Sequence, residues 1–308
     1  MKTYALGMNP VFKYSAVLTT YNAEETLAAC LDSILNQELP PSNIIIFDDS
    51  SSDKTLSILH KYSAQNDLIK LIENTTNEGQ AFGRNQCVKL SEFEYLVFFD
   101  DDDISNSSRS RLHFEMFNLG SEINFVSSIK NYSNGYSFKA INSEIHVGEL
   151  NHRQVIQHLL LGKSLPDKMV FFPSCTLAIT KEAFTRLNGF DVNLRRLEDI
   201  DLAIRSLENG TKFALTSHVG VIRKATIGSD KGGGIDSKYE GLLLEKNKHL
   251  ISRFDFWLAI SWKRIRLYYF NKNWFSLITH ALLNPLVQIQ FFSKFFHIIN
   301  RLRHDLSK

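Results

Sequence analysis

Short apolar runs alternate with amphipathic stretches along the first third of the chain. Four of the runs are typical of strands, at residues 16–19, 43–47, 68–74 and 95–99. The stretches between them carry apolar residues at helical spacing, and before the first of these stretches Asn22 and Glu25 are spaced as in a helix-capping box. Alternating strands and helices predict a mainly parallel sheet that is covered by helices on both faces.

The pattern changes further along the chain. Residues 105–165 show only short mixed segments, which fits an insertion or a change of strand direction. Residues 169–210 have the pattern of a strand, a short helix and an amphipathic helix, and the last part is helical with a break near Pro285. We therefore expect an α/β domain over residues 1–240 and a helical C-terminal appendage over 241–308.

Polar clusters follow three of the predicted strands, at residues 19–22, 48–49 and 100–103. Because ligands bind at the carboxyl ends of parallel strands, we expect these clusters to converge on one edge of the sheet. Residues 100–103 are four consecutive aspartates, and adjacent carboxylates repel one another. A divalent cation with hard oxygen ligands would remove that repulsion, so the pattern favours a metal–diphosphate site. A solvated acidic turn is the alternative interpretation.

Composition narrows the class of protein. The 308 residues are 44% hydrophobic and carry a formal net charge of +2, which allows a large core and does not favour nucleic-acid binding. The cysteines Cys30, Cys87 and Cys175 are widely spaced and odd in number, which favours a reducing compartment. The first residues lack the apolar segment of a signal peptide, and no run of about 20 apolar residues predicts a spanning helix. We expect a cytoplasmic protein.

The charge is unevenly distributed. From His249 onward the chain has 9 Lys/Arg against 2 Asp/Glu, together with 13 of the 36 aromatic residues and all three tryptophans. This mixture is typical of a helix that lies in a membrane interface. A helical subdomain that packs on the catalytic domain or on a second subunit is the alternative. We expect peripheral contact with the inner face of the cell membrane.

Five segments occur in an order that is specific to one family. They read VLTTYNAEETLAACLDSILNQ, IIIFDDSSSDKT, NEGQAFGRNQ, YLVFFDDDD and GFDVNLRRLEDIDLAIR, and they span residues 16–205. The sequence resembles the family 2 glycosyltransferases of the GT-A fold, a Rossmann-like α/β architecture. The resemblance implies an inverting transferase that uses a nucleotide-diphosphate sugar and a divalent cation, Mn²⁺ or Mg²⁺.

The resemblance also implies roles for individual residues. Six positions match the family's donor-binding residues, namely Thr19, Tyr21, Asp49, Arg84, Asp100 and Asp101. In the family, the residue at Tyr21 lies against the base, and the residue at Asp49 hydrogen-bonds it. Asp102 matches the metal ligand, although the motif also fits when it is shifted by one residue, because all four positions are Asp.

The general base is implied to be Asp199, the second acid of the pair that begins with Glu198. Inverting displacement needs a carboxylate that takes the proton of the acceptor hydroxyl as its oxygen attacks the anomeric carbon. The alternative is an ordinary helix start, since acids are favoured there by the helix dipole.

The resemblance implies a hexosyl- or hexosaminyltransferase, and by analogy with the family the base-contacting residues favour a UDP-sugar as donor. We expect a glycan or lipid-linked acceptor, in the synthesis of surface polysaccharide, lipopolysaccharide or a lipid-linked glycan. Two other classes stay open from the sequence. One is a non-catalytic glycan-binding or scaffold homologue, and the other is a different nucleotide-sugar enzyme such as a nucleotidyltransferase.

Overall fold

A computed structural model describes residues 12–131, 137–149, 151–163, 165, 171–224, 233–283 and 285. The chain divides into two compact units. Unit 1 combines residues 1–152 with 165–226, and unit 2 combines 153–164 with 227–308. The sequence-based boundary after residue 240 stays a prediction, and most of the chain beyond Leu283 lies outside the described residues.

Unit 1 is built on one sheet, which contains nine strands in the described residues. The strands are β1 (Tyr14–Thr20), β2 (Asn43–Asp48), β3 (Ile69–Glu73), β4 (Tyr95–Asp100), β5 (Asp103–Ser105), β6 (Ile123–Asn131), β7 (Ser137–Lys139), β8 (Leu177–Thr180) and β9 (Phe213–Arg223). Their order is β3-β2-β1-β4-β8-β6-β9-β5, with β7 beside β6. Strands β1 to β4, β6 and β9 run in one direction, while β5, β7 and β8 oppose them. The predicted α/β fold with a mainly parallel sheet is confirmed.

Helices cover this sheet. Those in the part of unit 1 that is described are α1 (Leu27–Leu35), α2 (Thr55–Gln65), α3 (Gln80–Leu90), α4 (Arg109–Asn118), α6 (Lys181–Arg186) and α7 (Glu198–Glu208); α5 (His152–Leu161) begins at the boundary with unit 2. Every residue of β1 and β2 is buried. Strands that are covered on both faces need continuous apolar runs, which is why the sequence shows them without polar alternation.

The first connection differs from the sequence-based expectation. Helix α1 begins at Leu27 with Thr26 at its N-cap, so Asn22 is not the cap. Asn22 has φ 49°, and its side-chain oxygen accepts the N–H of Ser52 at 2.8 Å. In return, the Asn22 N–H donates to the Ser51 hydroxyl at 3.0 Å. The residue therefore joins the loop after β1 to the loop after β2, because that neighbouring loop offers both partners.

The four aspartates form a tight turn between two strands of the sheet. Asp100 ends β4 and Asp103 begins β5, so only two residues separate these strands. Yet β5 pairs with β9, and Asp103 lies opposite Arg223. Since β4 is central and β5 is at the far end of the strand order, the sheet must curl until the end of β9 lies beside the end of β4.

Unit 2 is helical in the part that is described. It contains α8 (Gly233–Lys246), α9 (Arg253–Phe270) and α10 (Trp274–Leu283). Ion pairs join its segments, between Lys263 and Glu240 and, at 3.2 Å, between Lys163 and Asp255. Among the described helices, none combines the length and the apolar character that crossing a bilayer requires.

Gly83 sets how closely α3 approaches the sheet. A Cβ atom at this position would lie 2.6 Å from Cδ1 of Phe47 and 2.8 Å from Cγ2 of Thr19. Both distances are below van der Waals contact, so only glycine lets the helix pack directly on β1 and β2.

We predict that Gly83→Ala lowers the free energy of unfolding by about 1 to 3 kcal/mol, because an extra methyl group must force α3 off the sheet. Urea denaturation followed by circular dichroism measures the change. The matched control is Gly241→Ala, whose Cβ meets nothing within 4 Å and which should be neutral or stabilising by at most about 1 kcal/mol. Equal stability of the two variants would contradict the packing argument.

Candidate active site

The ends of three neighbouring strands bring the polar clusters together. In the sheet register, Thr19 lies opposite Asp100 and Thr20 lies opposite Asp48. The expected convergence on one edge of the sheet is therefore confirmed. Thr19 itself is buried, and its methyl group is the one that approaches Gly83.

Asp101 and Tyr21 meet at this edge. The backbone N–H of Tyr21 donates to Oδ2 of Asp101 at 3.1 Å. Burial, and after it the charge of Asp102, raises the pKa of Asp101 to about 7. The Tyr21 side chain is 51% exposed, so its ring lies at the open end of β1.

Asp100, Asp103 and Cys175 form a group of potential cation ligands. One ligand atom from each lies within 4.8 Å of the others, and no other group of three or more such acids, histidines or cysteines was found among the described residues. Burial and then Asp100 and Asp102 raise the pKa of Asp103 to about 7. This crowding of negative charge fits a site that takes a cation, with two hard oxygen donors and one softer sulfur. Asp102 lies in the turn between these aspartates and is not in the group.

Cys175 was missed by the sequence interpretation, which gave it no role in the site. It lies in a short 3-10 turn, Ser174–Thr176, just before β8. Burial raises the pKa of its thiol well above the usual value, and Asp103 and Asp100 raise it further. No spacing motif in the sequence indicates Cys175 as a ligand, because it comes close to the aspartates only in the folded structure.

A buried arginine lies behind the aspartate turn. Arg109, at the start of α4, donates to the Phe98 carbonyl at 2.5 Å and to the Ser105 hydroxyl at 3.0 Å. These bonds tie β4 to β5 across the turn. Burial lowers the pKa of Arg109 to about 10, while the charges of Asp100 and Asp103 oppose the change.

Arg84 lies beneath the site and is fully buried. Its Nη2 donates to Oδ1 of Asp100 at 2.7 Å, and its Nη1 donates to Oε1 of Glu198 at 2.6 Å. Burial alone would lower the pKa of Arg84, but Asp100 and Glu198 outweigh that effect and raise it. The guanidinium thus joins the aspartate turn to the first residue of α7.

Asp49 holds the loop that precedes α3. Its Oδ1 accepts the N–H of Glu78 and its Oδ2 accepts the N–H of Gly79, each at 2.8 Å. Gly79 has φ +91° and is the N-cap of the helix. Both oxygens of this buried carboxylate are therefore engaged by the protein's own backbone, although each keeps a second lone pair.

Asp199 lies in the first turn of α7. Leu197 precedes the helix in the left-handed region, at φ 67°, and directs the chain sharply into it. Oδ1 of Asp199 accepts the N–H of Ile200 at 2.8 Å, and Oδ2 accepts the N–H of Ser174 at 3.3 Å. Burial raises its pKa, and burial followed by the Asp199 charge raises the pKa of Glu198 to about 7. A carboxylate whose pKa is raised is a stronger base, which suits it to accept a proton.

The loop before α7 is fixed by α3. The side chain of Asn85 accepts the N–H of Phe190 at 2.9 Å and donates to the Phe190 carbonyl at 2.8 Å. Gly189 allows this approach, since a Cβ there would lie 2.7 Å from Oδ1 of Asn85. Asn85 was also absent from the sequence-predicted site, although it follows Arg84 in the GRN segment.

Comparison with known proteins identifies the family. Residues 15–187 match the family model described as Glycosyl transferase family 2. The protein EpsE of Bacillus subtilis (strain 168), which is named as a glycosyltransferase, is 31% identical over 207 residues, covering 66% of this chain and 69% of that protein. The chain belongs to glycosyltransferase family 2. It is a glycosyltransferase, and the family favours this class over a scaffold or a nucleotidyltransferase.

Further relatives and structures agree. WfgD of Escherichia coli, named as UDP-Glc:α-D-GlcNAc-diphosphoundecaprenol β-1,3-glucosyltransferase, is 30% identical over 150 residues, which are 49% of this chain and 55% of WfgD. The structure of S. aureus TarS 1-349 with UDP-GlcNAc has a TM-score of 0.63 at 19% identity and covers 90% of this chain and 78% of that one. The mannosyltransferase PcManGT from Pyrobaculum calidifontis with GDP-Man and Mn²⁺ gives 0.57 at 16% identity, covering 96% and 84%. These likenesses show that the family 2 transferase has the GT-A fold.

Proposed function

We propose that this transferase is inverting and metal-dependent, with a nucleotide-diphosphate sugar as donor. One observation carries the proposal. Arg84 binds both Asp100 of the aspartate turn and Glu198, the neighbour of Asp199. The candidate cation ligands and the candidate base therefore belong to one site, as a transfer between a diphosphate and an acceptor hydroxyl requires.

The proposed reaction is a single displacement at the anomeric carbon. A carboxylate oxygen of Asp199 takes the proton of the acceptor hydroxyl while its oxygen forms the new bond to carbon. The bond to the diphosphate oxygen breaks, and the nucleoside diphosphate leaves with the electron pair. When bound, a divalent cation supplies charge neutralisation at that diphosphate.

Asp102, with Asp100 and Asp103, is the proposed holder of Mn²⁺ or Mg²⁺. Carboxylate oxygens suit both ions, and these acids are crowded enough to gain from one. Thr19, Tyr21, Asp49 and Asp101 are proposed for the donor side, with the half-exposed Tyr21 ring against the base. UDP-glucose or UDP-GlcNAc is the proposed donor, since UDP-Glc and UDP-GlcNAc appear in the names of WfgD and the TarS complex.

The proposed acceptor is a glycan or lipid-linked saccharide of a surface polysaccharide or lipopolysaccharide. Relatives support this class, because WfgD is named for a diphosphoundecaprenol-linked acceptor, and TarS of Staphylococcus aureus is named for poly(ribitol-phosphate). A lipid-linked acceptor would lie in a membrane, and the cytoplasmic face of that membrane is the proposed place of the reaction. Peripheral contact through the C-terminal region is part of the proposal.

An exposed face of α9 supports that contact. Phe254 is 54% exposed and Trp257 is 49% exposed. Arg253 and Arg264 are exposed on the same helix, and residues 253, 257 and 264 recur at a spacing that keeps one face of a helix. Aromatic rings together with arginines are suited to bind an anionic lipid surface. Packing of this face against the same face of a second subunit is less favourable, because the two cationic faces would repel each other.

The first test is calorimetric binding of UDP, GDP and dTDP, with CMP as control. We expect UDP to bind at least about tenfold more tightly with Mn²⁺ than without it, because a cation held by the aspartates would neutralise charge on the diphosphate. Asp102→Asn should remove most of this dependence. No binding of any diphosphate to the folded protein would contradict the proposed donor class, and intact Mn²⁺ dependence in the variant would exclude Asp102 as a ligand.

Asp199→Asn should lower the rate of UDP release from the donor by about 10²- to 10⁴-fold, because the amide cannot accept the acceptor proton. UDP affinity should stay within about threefold of the wild type, since the change preserves shape and lies outside the donor contacts. Steady-state turnover and calorimetry measure the two quantities. Turnover at the wild-type rate would remove Asp199 as the base.

Replacing Phe254 and Trp257 together by serine should weaken binding to phosphatidylglycerol-containing vesicles by at least about tenfold, through loss of interfacial ring burial. Co-sedimentation with such vesicles, and with phosphatidylcholine alone, measures the effect. Leu119→Ser is the control, because Leu119 is 67% exposed but lies in unit 1. Equal sedimentation of wild type and double variant would exclude this face as the contact.

A further inference from the structure

We infer that Arg84 and Glu198 form a positioning bridge that sets the place of the base helix α7 against the aspartate turn, and that Arg84 does not contact the donor. The catalytic meaning of the bridge rests on the proposed function. The bridge itself is a feature of the fold, so it can be tested without any substrate.

Both terminal nitrogens of Arg84 donate hydrogen bonds to other side chains of the protein. Nη1 binds Glu198, while Nη2 binds Asp100 and also donates to Oε1 of Gln80 at 2.9 Å. The side chain is 0% exposed, and its guanidinium lies 5.5 Å from the centre of the Phe190 ring. A nucleotide could reach these nitrogens only by displacing a buried ion pair. Such a displacement leaves a buried charge unpaired, which is strongly unfavourable.

Glu198 transmits the position of Arg84 to Asp199. It is the first residue of α7, it is buried, and one peptide bond separates it from the candidate base. The neighbouring Asn85 holds Phe190 in the loop that leads to the helix. Two consecutive residues of α3 thus fix both the approach to α7 and its first turn.

The planar fork of arginine matters for this role. A guanidinium presents separate N–H groups to two carboxylates at once, whereas a lysine ammonium is a point charge. Without Arg84, Asp100 and Glu198 would be two partly or fully buried acids with no cation between them. Their repulsion would move α7 away from the turn, and a displacement of about 1 Å is enough to cost about 100-fold in rate.

The experiment compares Arg84→Lys, Arg84→Gln and Glu198→Gln with the wild type. Arg111→Gln is the matched control, because Arg111 is an exposed arginine of α4 whose described ion pairs go to Glu38 and Glu115, away from both segments. Amide hydrogen exchange by mass spectrometry follows residues 100–103 and 197–200. UDP binding with Mn²⁺, and UDP release from UDP-glucose and UDP-GlcNAc, are measured on the same proteins.

We expect faster exchange in both segments for all three bridge variants, and unchanged exchange for Arg111→Gln. We expect kcat to fall by about 10- to 100-fold, with the Kd for UDP changed by less than about threefold. Arg84→Lys should show the same exchange rates and kcat as Arg84→Gln. A lysine ammonium keeps the positive charge but lacks the planar fork that binds Asp100 and Glu198 together. Melting temperatures confirm that each variant is folded.

Three results would overturn the inference. The first is unchanged exchange in both segments, which would mean that the bridge does not position them. The second is a loss of UDP affinity of about tenfold or more in the Arg84 variants but not in Glu198→Gln, which would make Arg84 a donor ligand. The third is restoration of wild-type kcat by Arg84→Lys. If the wild type binds no nucleotide diphosphate, the proposed function fails, and the exchange data still decide the bridge.

Discussion

One buried guanidinium connects the acidic segments on which the site depends. Arg84 lies between the carboxylates of Asp100 and Glu198, which are far apart in the chain. Burying an ion pair in this position costs desolvation energy. The attraction between the charges offsets this cost only when the charged groups are well placed and hydrogen-bonded. The surrounding structure supplies that geometry. Gly83 lets α3 lie against the sheet, and Asn85 holds the loop before α7, so that Arg84 can reach both acids.

The aspartate turn is the second constraint, because it concentrates like charges in a poorly hydrated place. Burial raises the pKa values of Asp101 and Asp103 to about 7, and neighbouring aspartates add to the effect. Arg84 and Arg109 lie behind the turn and offset part of this charge from the protein side. A divalent cation would offset more of it from the solvent side. The negative charge that the two arginines leave uncompensated is the physical basis for proposing metal-dependent binding of a nucleotide diphosphate.

The GT-A architecture explains why these groups meet at all. Parallel strands bring the ends of β2, β1 and β4 to one edge, while the curl of the sheet returns β9 to the same place through β5. Loops then complete the edge, with Asp49 binding the backbone of residues 78–79 and Asn22 binding the loop after β2. The family supplies the reaction class. The donor and the acceptor stay proposals, which the names of relatives support.

The sequence by itself determined the features that depend on residues close together in the chain. Apolar runs predicted the strands β1 to β4, of which β1 and β2 are buried throughout, and the ordered motifs indicated the family. Only the tertiary structure decided which groups meet. Cys175 beside Asp103, both oxygens of Asp49 on backbone amides, and Asn22 bound across loops instead of capping α1 all depend on it. The bond from Arg84 to Glu198 spans 114 residues. A contact across that distance leaves no periodicity or spacing in the chain, because it exists only once the sheet has formed and curled.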